Sequence, residues 1–464
     1  MRSIISLGLC VSLLLPGGWL LAAQSGRKAA GVSASSYTAD LSQLYRESWL
    51  QDPRVLASYA MAQAGKEYQR EALGTLLPQI SVSGSRSRIT RVTDGTASLN
   101  STRSTYDTEL YSVNLTQHLY NKPVWEKYQG TKSKARQAES ESEEHRAEAA
   151  VDLAERYFAA LAADDGLELV MAERRTTQKS LDQVNALYAK QMAVITDVLD
   201  LKSRVDLLMA AEIEARNQQR LAREALAELV GRPVDEKLSR IREDIALLAP
   251  SDELEVWLDR AIGANPALAA RREALDVAEA AVRESHGEHY PSLSLNLTAQ
   301  RTDQGYQNTQ GTKANSYVAN LGVKIPIYSG GSTSARVRAL EQERFAAEQD
   351  LESLRRQVVK ETTTAWLTAQ AGVHKIRAAA GALASAKQSS IASQKGFRYG
   401  VVNAVDVLSS VQAEFEARRD LLKAQYDFVN NLLVLNRWAG LLSEQTIDSV
   451  NGWLASNGKA QALE

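Results

Sequence analysis

The sequence predicts an α+β membrane protein that is mostly α-helical, with a tandem repeat that gives four β-strands and long coiled-coil helices in each chain. Three observations lead to this fold class. Short motifs recur in the same order in both halves of the chain. Two segments in each half alternate between polar and apolar residues, and the segments that follow them are almost free of Gly and Pro.

The repeat is read from motifs that keep their order and spacing. Asp52-Pro53 recurs as Asn265-Pro266, and the run Ile-Thr-Asp-Val-Leu at 195–199 recurs as Ala-Val-Asp-Val-Leu at 404–408. The spacing is 213 residues for the first pair and 209 for the second. This small drift indicates a duplication, in which residues 40–231 correspond to residues 253–440.

Composition excludes several classes of protein. A mean hydropathy of -0.30, with 24% charged residues, is too polar for a polytopic helical membrane protein. The 54 basic and 56 acidic residues argue against a nucleic-acid partner, because they leave no basic surplus. Only nine prolines in 464 residues favour long, thin elements over several globular cores.

The first residues, 1–23, have the pattern of a secretory signal peptide. Arg2 precedes an apolar run at 4–15, and small residues follow, so cleavage is expected after Ala22 or Ala23. The protein is therefore predicted to be exported.

The single cysteine, Cys10, falls inside this apolar run, so we expect no cysteine in the exported chain. Leu9 precedes it, whereas a lipid-anchored cysteine follows a small residue. Beyond the signal there is no apolar stretch of about 18 residues, so any entry into a membrane must use strands.

Each half begins with a predicted helical segment, at 40–75 and 253–286, that ends before a proline. Strands are predicted next, at about 79–92 and 110–120 in the first half and at about 292–301 and 316–327 in the second. In residues 292–300, the side chains of one face are Leu293, Leu295, Leu297 and Ala299. Their neighbours are polar, which is typical of a strand between lipid and water. Polar, solvent-exposed loops are expected at 93–109 and 302–315.

The segments after the strands predict coiled-coil hairpins. Residues 133–187 are rich in Ala, Glu, Arg, Gln and Leu, which are strong helix formers. A short break at 191–196 precedes a second helix, and in the second half the apolar residues recur at nearly 3.5-residue spacing. The predicted organisation is a signal peptide at 1–23, a first repeat at 24–231, a linker at 232–252, a second repeat at 253–442 and a C-terminal tail at 443–464.

Four strands cannot close a barrel, and an open sheet edge cannot lie in lipid because its backbone groups would lack partners. Oligomerisation resolves this conflict, since three chains would supply twelve strands and a hollow helical cylinder. The periodicity itself does not fix the number of chains.

The sequence resembles the TolC family of outer-membrane channel proteins over nearly all of the chain after the signal. The resemblance is carried by the tandem repeat, by Gly-x-x-x-Pro at 74–78 and 287–291, by Ile-Pro-Ile-Tyr-Ser-Gly-Gly at 325–331, and by Phe-x-x-Gly followed by Asp-Val-Leu within 397–408. It implies a homotrimer, with a twelve-stranded β-barrel in the outer-membrane bilayer continued by a periplasmic α-helical barrel. It also implies an inner-membrane transporter, ABC or proton-driven, and a periplasmic adaptor as partners.

The resemblance also implies acidic rings where the helical duct narrows, at the breaks between helices. Asp406 matches the family's ring aspartate, while the second ring position is Ser409 here; the first half offers Asp197 and adds Asp200. Such rings attract cations in a narrow pore. In the alternative interpretation, Asp197 and Asp406 are helix N-terminal acids that the helix dipole stabilises.

The family's closed-state contacts are not all available in this chain. Phe397 stands where the family has a tyrosine, and Val402 stands where it has an arginine, so neither polar contact can form. Tyr188 and Arg398 are the candidate substitutes for these gate contacts.

No enzymatic motif stands out, and no catalytic residue, metal or cofactor is predicted. His286 and His289 lack the His-Glu-x-x-His spacing, and Gly330-Gly331 lacks the other residues of a phosphate loop. The predicted function is a passive export channel in the outer membrane that extends into the periplasm. The alternatives are a periplasmic adaptor, a structural coiled-coil protein or, within the channel class, a multidrug efflux duct. The absence of a lipid-anchor cysteine favours secretion of polypeptides by a type I system.

Overall fold

The computed structural model describes residues 38–93, 102–242, 245, 247–306 and 309–454. The predicted signal peptide with Cys10, the centre of the first predicted polar loop and the last ten residues of the predicted tail lie outside this range. Of the helices that the structure describes, none combines the length and apolar composition needed to span a bilayer.

The described chain is built mainly from helices. These are α1 (Leu41–Gln51), α2 (Pro53–Gly74), α3 (Lys122–Ala189), α4 (Ile195–Val230), α5 (Leu254–Ala264), α6 (Pro266–Gly287), α7 (Ser332–Arg398), α8 (Ala404–Trp438) and α9 (Glu444–Asn451). The strands are β1 (Thr38–Ala39), β2 (Gln79–Thr93), β3 (Thr102–Tyr120), β4 (Lys237–Leu238), β5 (Ser292–Tyr306) and β6 (Thr309–Lys324).

Each segment predicted as one helix, 40–75 and 253–286, is two helices in the structure. The division falls at Pro53 and Pro266, because proline has no N–H to continue the first helix but fits the first turn of the next. The residue before each proline is the N-cap. Asp52 accepts from the Arg54 N–H at 2.8 Å, and Asn265 accepts from the Leu268 N–H at 3.1 Å.

The four long strands form one antiparallel sheet in the order β2-β3-β5-β6, so the strand pairs of the two halves join through β3 and β5. The sheet extends into both predicted polar loops. A hydroxyl pair between Thr90 and Thr105, at 3.1 Å, lies at the start of the extension in the first half. The residues of this extension are mainly polar on both faces. The alternation of apolar and polar residues in the sequence therefore ends before the strands end. β6 ends at Lys324 rather than near 327, ahead of Pro326.

One face of the sheet is apolar, and no other described part of the chain covers it. The register places Ile80 beside Leu115, Val82 beside Val113, Leu297 beside Ala319 and Leu295 beside Leu321. Val82 is 77% exposed and Leu321 is 61% exposed. The opposite face carries mainly Ser, Thr, Asn and Gln, so the sheet separates an apolar surface from a polar one.

Two long helical hairpins, α3/α4 and α7/α8, extend from the sheet. α3 has 68 residues and α7 has 67, which is about 100 Å each at 1.5 Å per residue. The shorter helices pack against the long ones on the half nearer the sheet, beyond the reach of α4 and α8. α2 packs against α3, and α6 packs against both α3 and α7.

The largest group of buried apolar side chains, the main core, lies where α1, α3, α4, α8 and α9 meet the small β1–β4 pair. Its most buried large members are Leu41, Leu44, Leu153, Tyr157, Phe158, Leu161, Leu226, Leu238, Phe428 and Leu433. The Tyr157 hydroxyl donates to the Ser239 carbonyl at 2.8 Å and ties α3 to the strand β4. The predicted linker and tail therefore contribute to this core, through β4 and α9.

A buried polar cluster joins three parts of the chain beside the main core. The Tyr426 hydroxyl of α8 donates to the carboxylate of Asp165 in α3. The Arg240 guanidinium, from the predicted linker, lies 2.6 Å from the same carboxylate and 2.5 Å from Glu168. Burial raises the pKa of Asp165, while Tyr426 and Arg240 oppose that rise by stabilising its charged form.

Gly440 offers a test of how the end of α8 packs on α5 and α6. Its φ is +68°, and an added Cβ would lie 2.3 Å from the Ala264 carbonyl oxygen. We expect Gly440→Ala to lower the free energy of unfolding by about 1–3 kcal/mol from backbone strain alone. The clash with the Ala264 carbonyl would lower it further. Thermal unfolding followed by circular dichroism measures it.

Gly381→Ala is the matched control, because Gly381 lies inside α7 with open space around it. The free energy of unfolding of this variant is expected to rise by up to about 1 kcal/mol, because alanine has a higher helix propensity than glycine. If the two variants unfold at the same midpoint temperature, the contact between Gly440 and Ala264 is not as tight as described.

Candidate functional site

The candidate site lies at the two hairpin tips, where α3 turns into α4 and α7 turns into α8. The two turns have the same backbone geometry. Gln191 has φ 58° and its counterpart Gly400 has φ 74°, and each follows the last turn of a long helix. In both turns an N–H donates to the carbonyl five residues earlier, from Met192 to Leu187 and from Val401 to Gly396, each at 2.9 Å. The duplication is thus preserved at the level of single hydrogen bonds.

The tips pack against each other within one chain through a second apolar group, the tip cluster. Its buried members are Leu181, Val184, Leu201, Val205 and Ala404, with Ala193, Val198, Phe397 and Leu408 packed around them. Phe397, Ala404 and Leu408 come from the second hairpin, and the others come from the first. The tip cluster therefore sets how the hairpins lie beside each other at this end.

The three predicted ring aspartates lie at the starts of the returning helices. Asp197 is in the first turn of α4 and is half-buried; Asp200 is one turn further and exposed. Asp406 is in the first turn of α8, exposed, and its N–H donates to the Asn403 side chain at 2.7 Å. Two of the three thus stand where the helix dipole favours a carboxylate, as the alternative interpretation requires. Exposure also leaves Asp200 and Asp406 free to face a pore.

The three predicted gate residues have different environments in a single chain. Phe397 packs into the tip cluster, whereas Tyr188 and Arg398 are exposed in the last turns of α3 and α7. Within the described residues, neither of these two side chains forms a hydrogen bond or ion pair. The Val402 side chain instead covers Gly396, where an added Cβ would meet it at 2.6 Å. An apolar contact thus occupies the place of the family's arginine.

Sequence reasoning missed the ion pairs that fasten the first hairpin above its tip. Arg204 of α4 lies 2.5 Å from Glu173 of α3, and Arg174 of α3 lies 2.9 Å from Glu212 of α4. These side chains are mostly buried, so their pairing is less screened than at a fully exposed site. The paired residues are 31 and 38 positions apart in sequence. Only the geometry of the hairpin could therefore reveal these contacts.

Across the described residues, no group of three or more His, Cys, Asp or Glu side chains is arranged to hold a metal ion.

Comparison with known proteins was made on sequence and on structure. The profile of the family described as outer membrane efflux protein matches residues 44–232 and 257–441. Outer membrane protein TolC of Vibrio cholerae is 29% identical over 431 residues, which cover 91% of this chain and 95% of that protein. Alkaline protease secretion protein AprF of Pseudomonas aeruginosa is 27% identical over 404 residues, covering 86% and 84%.

Among solved structures, the Campylobacter jejuni CmeC outer membrane channel superposes with a TM-score of 0.74 at 13% sequence identity. The match covers 94% of this chain and 97% of that chain. The two chains therefore share a fold.

Phe397→Ala tests the tip cluster. Truncating this ring removes apolar contact between the hairpins, so we expect faster amide hydrogen exchange in residues 181–205 of the opposite hairpin. Tyr399→Ala removes an aromatic ring two residues away that is 83% exposed, and it should leave that exchange unchanged. If both variants exchange like the original protein, Phe397 does not hold the two tips together.

Proposed function

The chain belongs to the outer membrane efflux protein family and is an outer-membrane export channel, and we propose that three copies form its conducting state. In this proposal the three sheets close into a twelve-stranded barrel in the outer membrane. The helical hairpins continue the barrel into the periplasm as a hollow cylinder. The chain provides a passive path and performs no catalytic step, and its first 23 residues are removed on export.

The observation that carries this proposal is the sheet itself. Its apolar face is exposed and its opposite face is polar, as a wall between lipid and water requires. Its outer strands, β2 and β6, have no partner on their free sides within the described chain. An unpaired backbone edge is costly in lipid, so β2 of one copy must pair with β6 of the next.

The hairpins carry further apolar side chains that are exposed in the described part of a single chain. On α4, exposed residues of this kind are Ile195, Leu199, Leu207, Met209, Ile213 and Leu221. Their number along one helix exceeds what isolated surface residues explain. We assign them to contacts between copies in the helical cylinder.

At the far end of the cylinder, Asp197, Asp200 and Asp406 would recur in every copy. Three copies place nine carboxylates around one opening, where a narrow, low-dielectric passage concentrates their field. The expected consequence is attraction of cations to the periplasmic entrance. The tips are also the part of the duct that reaches toward an inner-membrane transporter and a periplasmic adaptor, the partners proposed here.

For the substrate, we favour polypeptides delivered by a type I secretion system. This choice is supported by the relative named for alkaline protease secretion and by Leu9, which precedes the only cysteine where a lipid anchor needs a small residue. The second candidate is small toxic molecules, which the efflux description of the family favours. Loss of protein secretion in a deletion strain supports the first, and raised drug sensitivity with normal secretion supports the second.

Cysteine cross-linking tests the trimer. In a Cys10→Ala background, Ser83→Cys on β2 is combined in turn with cysteine at Ser316, Val318, Asn320 or Gly322 on β6. All of these positions lie on the polar face. Oxidation is expected to give a covalent trimer for at least one pair, and the purified protein should conduct in planar bilayers.

The matched control is Ser83→Cys with Ser112→Cys, whose hydroxyls already lie 2.8 Å apart in one chain. This pair should cross-link without increasing the mass. Should every β2–β6 pair fail while the control succeeds, the proposed closure is wrong. A folded protein that never conducts would contradict the channel.

The aspartates are tested by cation block. Changing Asp197, Asp200 and Asp406 together to Asn is expected to raise the half-blocking concentration of a trivalent cation roughly tenfold or more. Asp350→Asn is the control, since this exposed residue lies in α7 about 70 Å from the tip at 1.5 Å per residue. If the triple variant has the same half-blocking concentration as the original protein, the aspartates do not attract cations to the pore. The role of Asp197 and Asp406 would then be to stabilise the N-termini of α4 and α8.

A further inference from the structure

Charged side chains occupy the apolar face of the sheet, but only at the end far from the helices. Nearest the helices this face carries Ile80, Val82, Val113 and Leu115, followed by Tyr111 on β3 and Tyr317 on β6. From the level of Tyr111 outward, the described part of the same face carries five basic residues. Four of them lie within two layers of Tyr111 and form what we call the basic belt: Arg86, Arg88, Arg301 and Lys313.

The position of the belt follows from the register. Arg301 pairs with Tyr111, and Arg86 pairs with Glu109, one outward-facing layer further. Arg88 pairs with Asp107 in the next layer. Each layer adds about 7 Å along the strand, so the belt occupies roughly the first 14 Å beyond the tyrosines. In a membrane strand, that is the depth of lipid headgroups.

The opposite face shows that these charges are not a general feature of the loop end. At the same levels it carries Ser85, Ser87, Thr302 and Gln304, and among the described residues beyond them Arg91 is the only charged one on this face. Charges placed for solubility alone would appear on both faces. Their segregation indicates a charged partner on the outside of the barrel.

The belt also has a surplus of positive charge. Arg86 and Arg88 share Asp107 at 3.3 and 2.9 Å, and Arg86 also lies 3.6 Å from Glu109. Lys313 lies 2.8 Å from Asp303. Arg301 is exposed and has no acidic partner within the described residues, and neither has Arg103, two layers beyond Arg88. Within the layers of the belt, four basic residues face three acidic ones, Asp107, Glu109 and Asp303, and Arg103 adds a fifth basic residue beyond them.

We propose that the basic belt binds the phosphate groups of the phosphorylated glycolipid in the outer leaflet. Guanidinium groups match phosphate in shape and charge, and basic clusters at membrane interfaces recognise anionic headgroups. The helices extend into the periplasm, so the opposite, loop end of the strands meets the outer leaflet. This inference rests on the proposed barrel, because it requires the apolar face to be the lipid-facing one.

The test is lipid retention by the full chain, measured by native mass spectrometry with added lipid A. Arg86→Gln with Arg301→Gln removes two belt charges. Arg91→Gln with Lys324→Gln removes two charges from the polar face of the same sheet and is the control. The belt variant should bind bisphosphorylated lipid A roughly tenfold or more weakly, and the control should bind like the original protein.

Three results would overturn the inference: equal binding by the belt and control variants, equal binding of dephosphorylated lipid A by the original protein, or equal retention of phosphatidylglycerol. Conductance in planar bilayers is the separate readout of the proposed channel. If the original protein never conducts, the channel proposal fails. If both variants conduct normally and retain lipid A equally, only the role of the basic belt fails.

Discussion

The hydrogen-bonding demand of two sheet edges governs the rest of this structure. β2 and β6 each present a row of backbone N–H and C=O groups that no other strand of the described chain pairs. In lipid each unpaired group costs several kcal/mol, which exceeds what apolar side chains on the same strand can offset. Closure between copies is therefore a condition of folding in the membrane. α3 begins two residues after β3 ends, and α7 begins eight residues after β6 ends. The helices in the proposed assembly would therefore share the symmetry of the barrel.

The duplication explains how one chain supplies two units of that cylinder, and the places where the halves differ explain how they are joined. The two tip turns are equivalent, with Gln191 and Gly400 in the same left-handed conformation. The joining contacts have no such equivalence. Asp165 of the first repeat is held by Tyr426 of the second and by Arg240 of the connecting segment. This polar cluster joins the two halves beside the main core. The tip cluster joins them a second time, at the tips of the hairpins.

How much the sequence could predict depended on the range of each interaction. Period-two alternation gave the apolar face of the sheet, and the absence of Gly and Pro gave the long helices, since both are local patterns. The N-cap and proline pairs at Asp52-Pro53 and Asn265-Pro266 were visible as repeats, but their role as helix boundaries was missed. The ends of the strands depend on cross-strand hydroxyl pairs, and the Arg204–Glu173 pair depends on hairpin register. Neither leaves a local signal.

The distribution of charge along the polar face bears on where an export duct of this kind selects its cargo. In the described part of the sheet, Arg91 and Lys324 are the only Lys, Arg, Asp or Glu residues on that face. A wide lumen lined by Ser, Thr, Asn and Gln exerts little field on a passing solute, because water screens what charge there is. In the proposed assembly, the aspartates at the tips would instead surround the periplasmic opening. Discrimination by charge would then belong to that entrance, and the outer-membrane segment would act as a neutral exit.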